Sequence, residues 1–194
     1  SITIVSQAFV YGAGLAVALG IAAGLSRHVE HFFGPTFDTI RHIPGIAWLP
    51  LIVLWLGIGA PAKVVVIAKS AFFPVFLNTL QGIRDVEKRH IELAQVLTLT
   101  RWQLVRKVIL PSAMPSIMVS LRYSAGVAWA LVVVAEGLSG LEGIGYLIFR
   151  AQGLLMTDQL VVCMVIIGVV GFTIDRIMLT LQRYVLRWKQ GFEG

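Results

Sequence analysis

Hydrophobic and polar positions fall along this chain in blocks. Apolar blocks at 4–25, 43–58, 62–80, 116–137 and 159–181 are separated by shorter, more polar intervals. A helix of roughly 20 apolar residues crosses about 30 Å of hydrocarbon, so the pattern predicts an all-α, polytopic membrane protein with five spanning helices in this fragment. The second block is the shortest and contains Pro44 and Pro50. A spanning helix broken by proline must have its freed carbonyls satisfied by protein or cavity water. In the first block Gly20 and Gly24 make a GxxxG, a spacing that lets another helix come close. Interval 138–158 is Gly-rich and amphipathic.

The longest polar interval, 85–111, reads as two short helices with a turn between them. Asp85 is placed to cap the first, and Glu87 suits the positive end of its dipole. Thr100 and Gln103 have the spacing of a capping box for the second, with Pro111 as its stop. Leu93 and Leu97, four apart with Ala94 beside them, give the first helix a small apolar face. Such a knob between hydrophobic spans suits the grip of a soluble partner.

Composition agrees with a membrane protein: 57% of the 194 residues are hydrophobic and 13% charged. The net charge of +6 raises nucleic acid as a partner. The basic residues cluster at the ends of apolar blocks, however, so the expected surroundings are lipid and not nucleic acid. Six of the sixteen Lys and Arg lie in or beside 85–111: Arg84, Lys88, Arg89, Arg101, Arg106 and Lys107. With that interval in the cytoplasm, Arg27, Arg41, Arg176, Arg183, Arg187 and Lys189 join them inside, against Lys63 and Arg150 outside. The positive-inside rule is then satisfied. Residue 1 lies outside on this orientation, and a further spanning helix is expected before it.

Candidate chemistry is sparse. There is no GxxxxGK[ST] to cradle the phosphates of ATP. His90 and Glu92 do not complete HExxH, and Gly137-Leu138-Ser139-Gly140 is not GxSxG. Asp175 stands in a span without a second carboxylate, and Cys163 is a lone cysteine in an apolar run. His28 and His31 have ligand-like spacing but no third ligand, and read as solvated interfacial side chains. No catalytic residue, metal or cofactor is expected, and the chain does not read as an enzyme.

The interval 85–111 resembles the EAA loop of ABC importer permeases, whose pattern is EAA, three residues, Gly, nine residues, Ile-x-Leu-Pro. Glu92-Leu93-Ala94, Thr98 and Val108-Ile109-Leu110-Pro111 keep its spacing, with Leu93, Thr98 and Val108 replacing Ala, Gly and Ile. Loss of the glycine predicts a differently shaped turn, because a β-branched Thr takes positive φ only at steric cost. Ile43-Pro44, Leu56-Gly57-Ile58-Gly59, Ala71-Phe72-Phe73-Pro74, Leu121-Arg122, Ala135-Glu136 and Gly143-Ile144-Gly145-Tyr146 resemble the sulfonate, taurine and nitrate branch of those permeases, from about residue 10 to 190.

The resemblance implies one permease domain (1–194) of the type I fold, in the bacterial inner (plasma) membrane, with 85–111 as its cytoplasmic coupling loop. It also implies a second permease copy in a homodimer, two ABC ATPase subunits and an external or periplasmic solute-binding protein, with membrane lipid around the spans. The coupling residues carried over are Glu92, Leu93, Ala94, Val96, Leu97, Thr98, Leu110 and Pro111. The function it implies is ATP-driven import of a small anion. An ion-driven secondary transporter or channel is the alternative, and the knob separates them, since a secondary transporter has no ATPase to dock.

Lys69 is the candidate for the translocation path. A cation near the centre of a span costs about 2.5–3.5 kcal/mol, and Lys69 lies roughly 10 Å along its helix. Its stem allows the ammonium to snorkel to the outer interface. Alternatively it faces a cavity and attracts an anion, with Trp48 or Trp55 as apolar wall. Glu136 is carried as a fourth path candidate beside an interfacial reading that it shares with Arg122.

Overall fold

The computed structural model describes residues 1–26, 34, 36, 37, 39–139 and 142–188. Among these the secondary structure is helical throughout. The long elements are α1 (Ile2–Leu25), α3 (Ala60–Arg84), α6 (Leu110–Ser139) and α8 (Thr157–Val185). Between them lie the short α2 (Leu49–Leu56), α4 (Lys88–Val96), α5 (Arg101–Leu104) and α7 (Ile144–Gly153). Arg27, Glu30, Asp38, Lys189 and the histidines His28 and His31 fall outside the described residues.

The core forms where α1 and α6 pack on α3. Small residues recur every fourth position on α1, at Ala8, Gly12, Ala16, Gly20 and Gly24, and make one flat stripe. A Cβ on Gly20 would lie 2.7 Å from the Thr79 Cβ, and one on Gly24 would lie 2.9 Å from the Ile83 Cβ. A Cβ on Gly12 would come closer still to the Ala68 carbonyl oxygen, so the GxxxG is one part of a longer close-packed seam. On α3, Val66, Ile67, Ala71, Val75 and Thr79 are fully buried, and Val5, Ile67 and Val132 meet in one cluster. α8 stands outermost, joined to α6 by the Trp129 indole, which donates to the Ile167 carbonyl at 3.1 Å.

Four helices are long and apolar enough to cross a membrane, Ile2–Leu25, Ala60–Arg84, Arg101–Ser139 and Thr157–Val185, so the fifth expected span is different in kind. It is a 3₁₀ turn, Gly45–Trp48, leading into α2. Together they cover about 20 Å at the usual rises of the two helix types, short of the ~30 Å hydrocarbon layer. Pro50 does not break this helix. It sits in the first turn of α2, where a missing N–H costs nothing. Gly57 ends α2 at φ 76. The interior prolines are instead Pro74 of α3 and Pro115 of α6.

Asp85 closes α3 and accepts a hydrogen bond from Gln81 Nε2 at 2.8 Å. Two local expectations change. Thr98 does take the left-handed backbone, at φ 51. The Leu99 N–H reaches the Ala94 carbonyl at 3.1 Å, the six-to-one bond of a Schellman close. The turn therefore keeps the form a glycine would give it. Pro111 does not stop a helix. From Arg101 the helix runs through a π segment, Val105–Ile109, into α6. The wide turn, with the Leu110 N–H on the Val105 carbonyl, makes room for a ring that would strike the carbonyl four residues back in a regular α-helix.

Candidate functional site

Two regions carry the predicted residues. The first is the knob, α4 and α5. The capping box is formed as expected: the Gln103 N–H donates to Thr100 Oγ1 at 3.4 Å, and the Thr100 N–H to Gln103 Oε1 at 3.0 Å. On α4 the apolar residues divide. Leu93, Val96 and Leu97 are 58%, 78% and 61% exposed, whereas Ala94 is buried at 3%. Glu92 is exposed beside them, and Leu110 and Pro111 are half-buried at the start of α6. Leu93, Val96 and Leu97 form an outward apolar patch, with Ala94 as the small residue seating α4 behind it.

The second region is a groove of about 640 Å³ between α1, the Gly45–Leu56 segment and α3. Its wall is aromatic and aliphatic, including Tyr11, Trp48, Trp55, Phe72 and Phe73, and among the described residues Lys69 is its one cationic lining residue. The Lys69 ammonium donates to the Ile43 carbonyl at 3.1 Å. It also stands 4.9 Å from the Trp48 ring centroid and 5.3 Å from that of Phe73. Lys69 is thus held across the helix gap by a carbonyl and two π faces. Gly45 permits the approach, because any side chain there would collide with the Ser70 hydroxyl. The Trp48 indole N–H is buried and without a hydrogen-bond partner in the described structure, so a residue lining the groove retains a donor.

Sequence spacing grouped Lys69, Trp48 and Trp55, and the fold brings all three to this groove. Glu136 is elsewhere. Its fully buried carboxylate accepts from Ser1 Oγ at 2.8 Å and the Gly145 N–H at 3.2 Å. Gly143, at φ 107, lies where a Cβ would overlap that carboxylate. Glu136 ties the start of α7 to the end of α6 and does not line the groove.

Arg122 reaches a polar group on a neighbouring helix. Its guanidinium grips Asp175 of α8, Nε to Oδ1 at 2.6 Å and Nη2 to Oδ2 at 2.7 Å. The sequence held a signal for this pair. Arg122 lies about 18 Å from the start of α6 and Asp175 about 15 Å from the end of α8, at 1.5 Å per residue. Two lone opposite charges at matched depth suggest partners.

The chain resembles known transport proteins over most of its length. A family model described as binding-protein-dependent transport system inner membrane component matches residues 14–190. A Bacillus subtilis protein named as an aliphatic sulfonates transport permease, SsuC, is 39% identical over 186 residues, which are 96% of this chain and 67% of that protein. The bicarbonate transport system permease CmpB of Synechococcus elongatus is 33% identical, over 96% of this chain and 68% of its own. The chain thus spans about two thirds of the length of these relatives. An inward-facing structure of the MetNI methionine ABC transporter superposes with a TM-score of 0.76 at 19% identity, covering 95% of this chain and 92% of that one, and shares the fold. Permeases of this family are multi-pass inner-membrane subunits that work with ATPase and solute-binding proteins and do not hydrolyse ATP themselves. With its helical fold and apolar spans, this chain belongs to that family, the binding-protein-dependent inner-membrane components of ABC importers.

Proposed function

We propose that the chain, as one half of a permease homodimer, conducts a small anion past Lys69 and is driven through the knob at 85–111. The observation that carries the anion is the groove: a single ammonium set in an aromatic and aliphatic wall. A cation beside an apolar wall attracts negative charge more strongly than one surrounded by water. The apolar wall suits an aliphatic tail. Relatives named for aliphatic sulfonates and for bicarbonate share a charge and not a shape, which favours a charge-reading site.

The coupling reading rests on Leu93, Val96 and Leu97, which lie exposed on and just after a short helix. An apolar patch on the basic, cytoplasmic side suits a hydrophobic groove on an ATPase subunit. Closure of two ATPases would draw two such knobs together and pull on α6 through the continuous helix from Arg101. In this reading residues 1–194 are a single permease domain, with 85–111 as its cytoplasmic loop.

Uptake into vesicles with the cognate binding protein tests the anion. A panel of sulfonates, nitrate, bicarbonate and neutral heterocycles is offered to the parent, Lys69→Arg and Lys69→Met. Anion uptake should fall about tenfold or more in Lys69→Met and much less in Lys69→Arg. Equal transport by all three would show that the lysine merely anchors its helix.

A further inference from the structure

One face of α8 is shaped like a phospholipid. Positions 162, 165, 169, 172, 176, 180 and 183 follow one another by three or four and so lie along a single stripe, with Arg187 in the turn just past the end of α8. Its upper half, Val162, Val165, Val169 and Phe172, is apolar and 57–60% exposed. Its lower half is Arg176, Thr180 and Arg183, continued by Arg187, all exposed. The Arg176 guanidinium lies 4.8 Å from the Phe172 ring centroid, and that of Arg187 lies 4.4 Å from the Tyr184 ring centroid. Both guanidiniums therefore lie within cation–π range of an aromatic ring. A shallow groove of about 600 Å³ lies beside Arg176, lined by Thr173, Arg176, Ile177, Thr180, Leu181 and Tyr184.

We infer that this stripe binds an anionic phospholipid of the cytoplasmic leaflet, acyl chain on the valines and Phe172, phosphate on the arginines. α8 is 29 residues long. At about 43 Å it exceeds the ~30 Å hydrocarbon layer, so its basic end reaches the headgroup region, where guanidinium pairs well with phosphate. A second copy of this chain is the poorer occupant. A two-fold contact through the stripe would set like charges against each other. The leaflet follows from the proposed orientation; the lipid contact does not depend on it.

The test uses the full-length permease with its ATPase partner, purified in mild detergent and given equal phosphatidylglycerol and phosphatidylcholine. Retained lipid is read by mass spectrometry. The parent should keep phosphatidylglycerol with a preference of about tenfold or more. The Arg176→Gln/Arg183→Gln/Arg187→Gln variant should lose most of it. Arg101→Gln/Arg106→Gln/Lys107→Gln, which removes equal charge off the stripe, should retain it. No preference in the parent, or an equal loss in both variants, would overturn the assignment. So would efficient disulfide-linked dimers from Thr180→Cys, since a second copy would then cover the stripe.

Discussion

Arg122 of α6 and Asp175 of α8, 53 positions apart, meet through two hydrogen bonds of 2.6 and 2.7 Å. Among the described residues they form a salt bridge between the two helices, and Asp175 also feels the charge of Arg176 beside it. Removal of either residue leaves its partner without that bridge within a span. Arg122→Gln and Asp175→Asn should each lower the melting temperature of the detergent-purified protein. The exchange Arg122→Asp/Asp175→Arg should recover most of that loss. Two additive losses in the exchange would mean that the residues act separately.

The Gly143 backbone, at φ 107, lets the loop before α7 settle on the Glu136 carboxylate. Gly143→Ala adds both a strained φ and a collision. It should destabilise by about 2 kcal/mol or more in thermal unfolding. Glu136→Gln keeps the shape and should cost less than Glu136→Ala, which empties a fully buried site.

Leu93 is 58% exposed, so Leu93→Asp should change stability by no more than about 0.5 kcal/mol. If it docks an ATPase, uptake should nonetheless fall about tenfold, with the ATPase activity no longer stimulated by loaded binding protein. Ala94→Asp should differ. It places charge at a buried position and should lower the amount of folded protein. Normal uptake by a well-expressed Leu93→Asp would leave the loop a simple connector.

Thr98 holds φ 51. A left-handed non-glycine residue costs about 1–2 kcal/mol, while glycine adds about 0.5–1 kcal/mol of chain entropy to lose on folding. Thr98→Gly should therefore be neutral to stabilising, by up to about 1 kcal/mol. A clear drop in melting temperature would mean that the Thr98 hydroxyl, which donates to the Leu97 carbonyl at 2.9 Å, contributes more than the backbone strain.

Topology is checked by labelling. An impermeant thiol reagent applied to intact cells should miss a Lys88→Cys variant and reach one at Glu142. The reverse pattern would invert the proposed orientation.

Much of this molecule could be read along the chain. Long apolar blocks must leave water, so α1, α3, α6 and α8 follow from composition alone. The Thr100–Gln103 box is local chemistry, and it forms where its spacing puts it. The Gly20–Gly24 seam was visible because helix contact in a membrane selects small residues. Other features depend on how helices register against one another, which a one-dimensional pattern does not encode. Ala94 looked like a companion of Leu93, yet it faces inward. Glu136 stands near the end of its apolar block, and only the fold closes Gly143 and Gly145 over it. Pro111 carries a stop signal that the π turn before it absorbs, and Thr98 takes a glycine's backbone because the turn between two anchored helices demands it. The Lys69–Ile43 and Arg122–Asp175 contacts join residues 26 and 53 positions apart. Periodicity decides which residues leave water; the lateral fit of one helix on the next decides which of them meet.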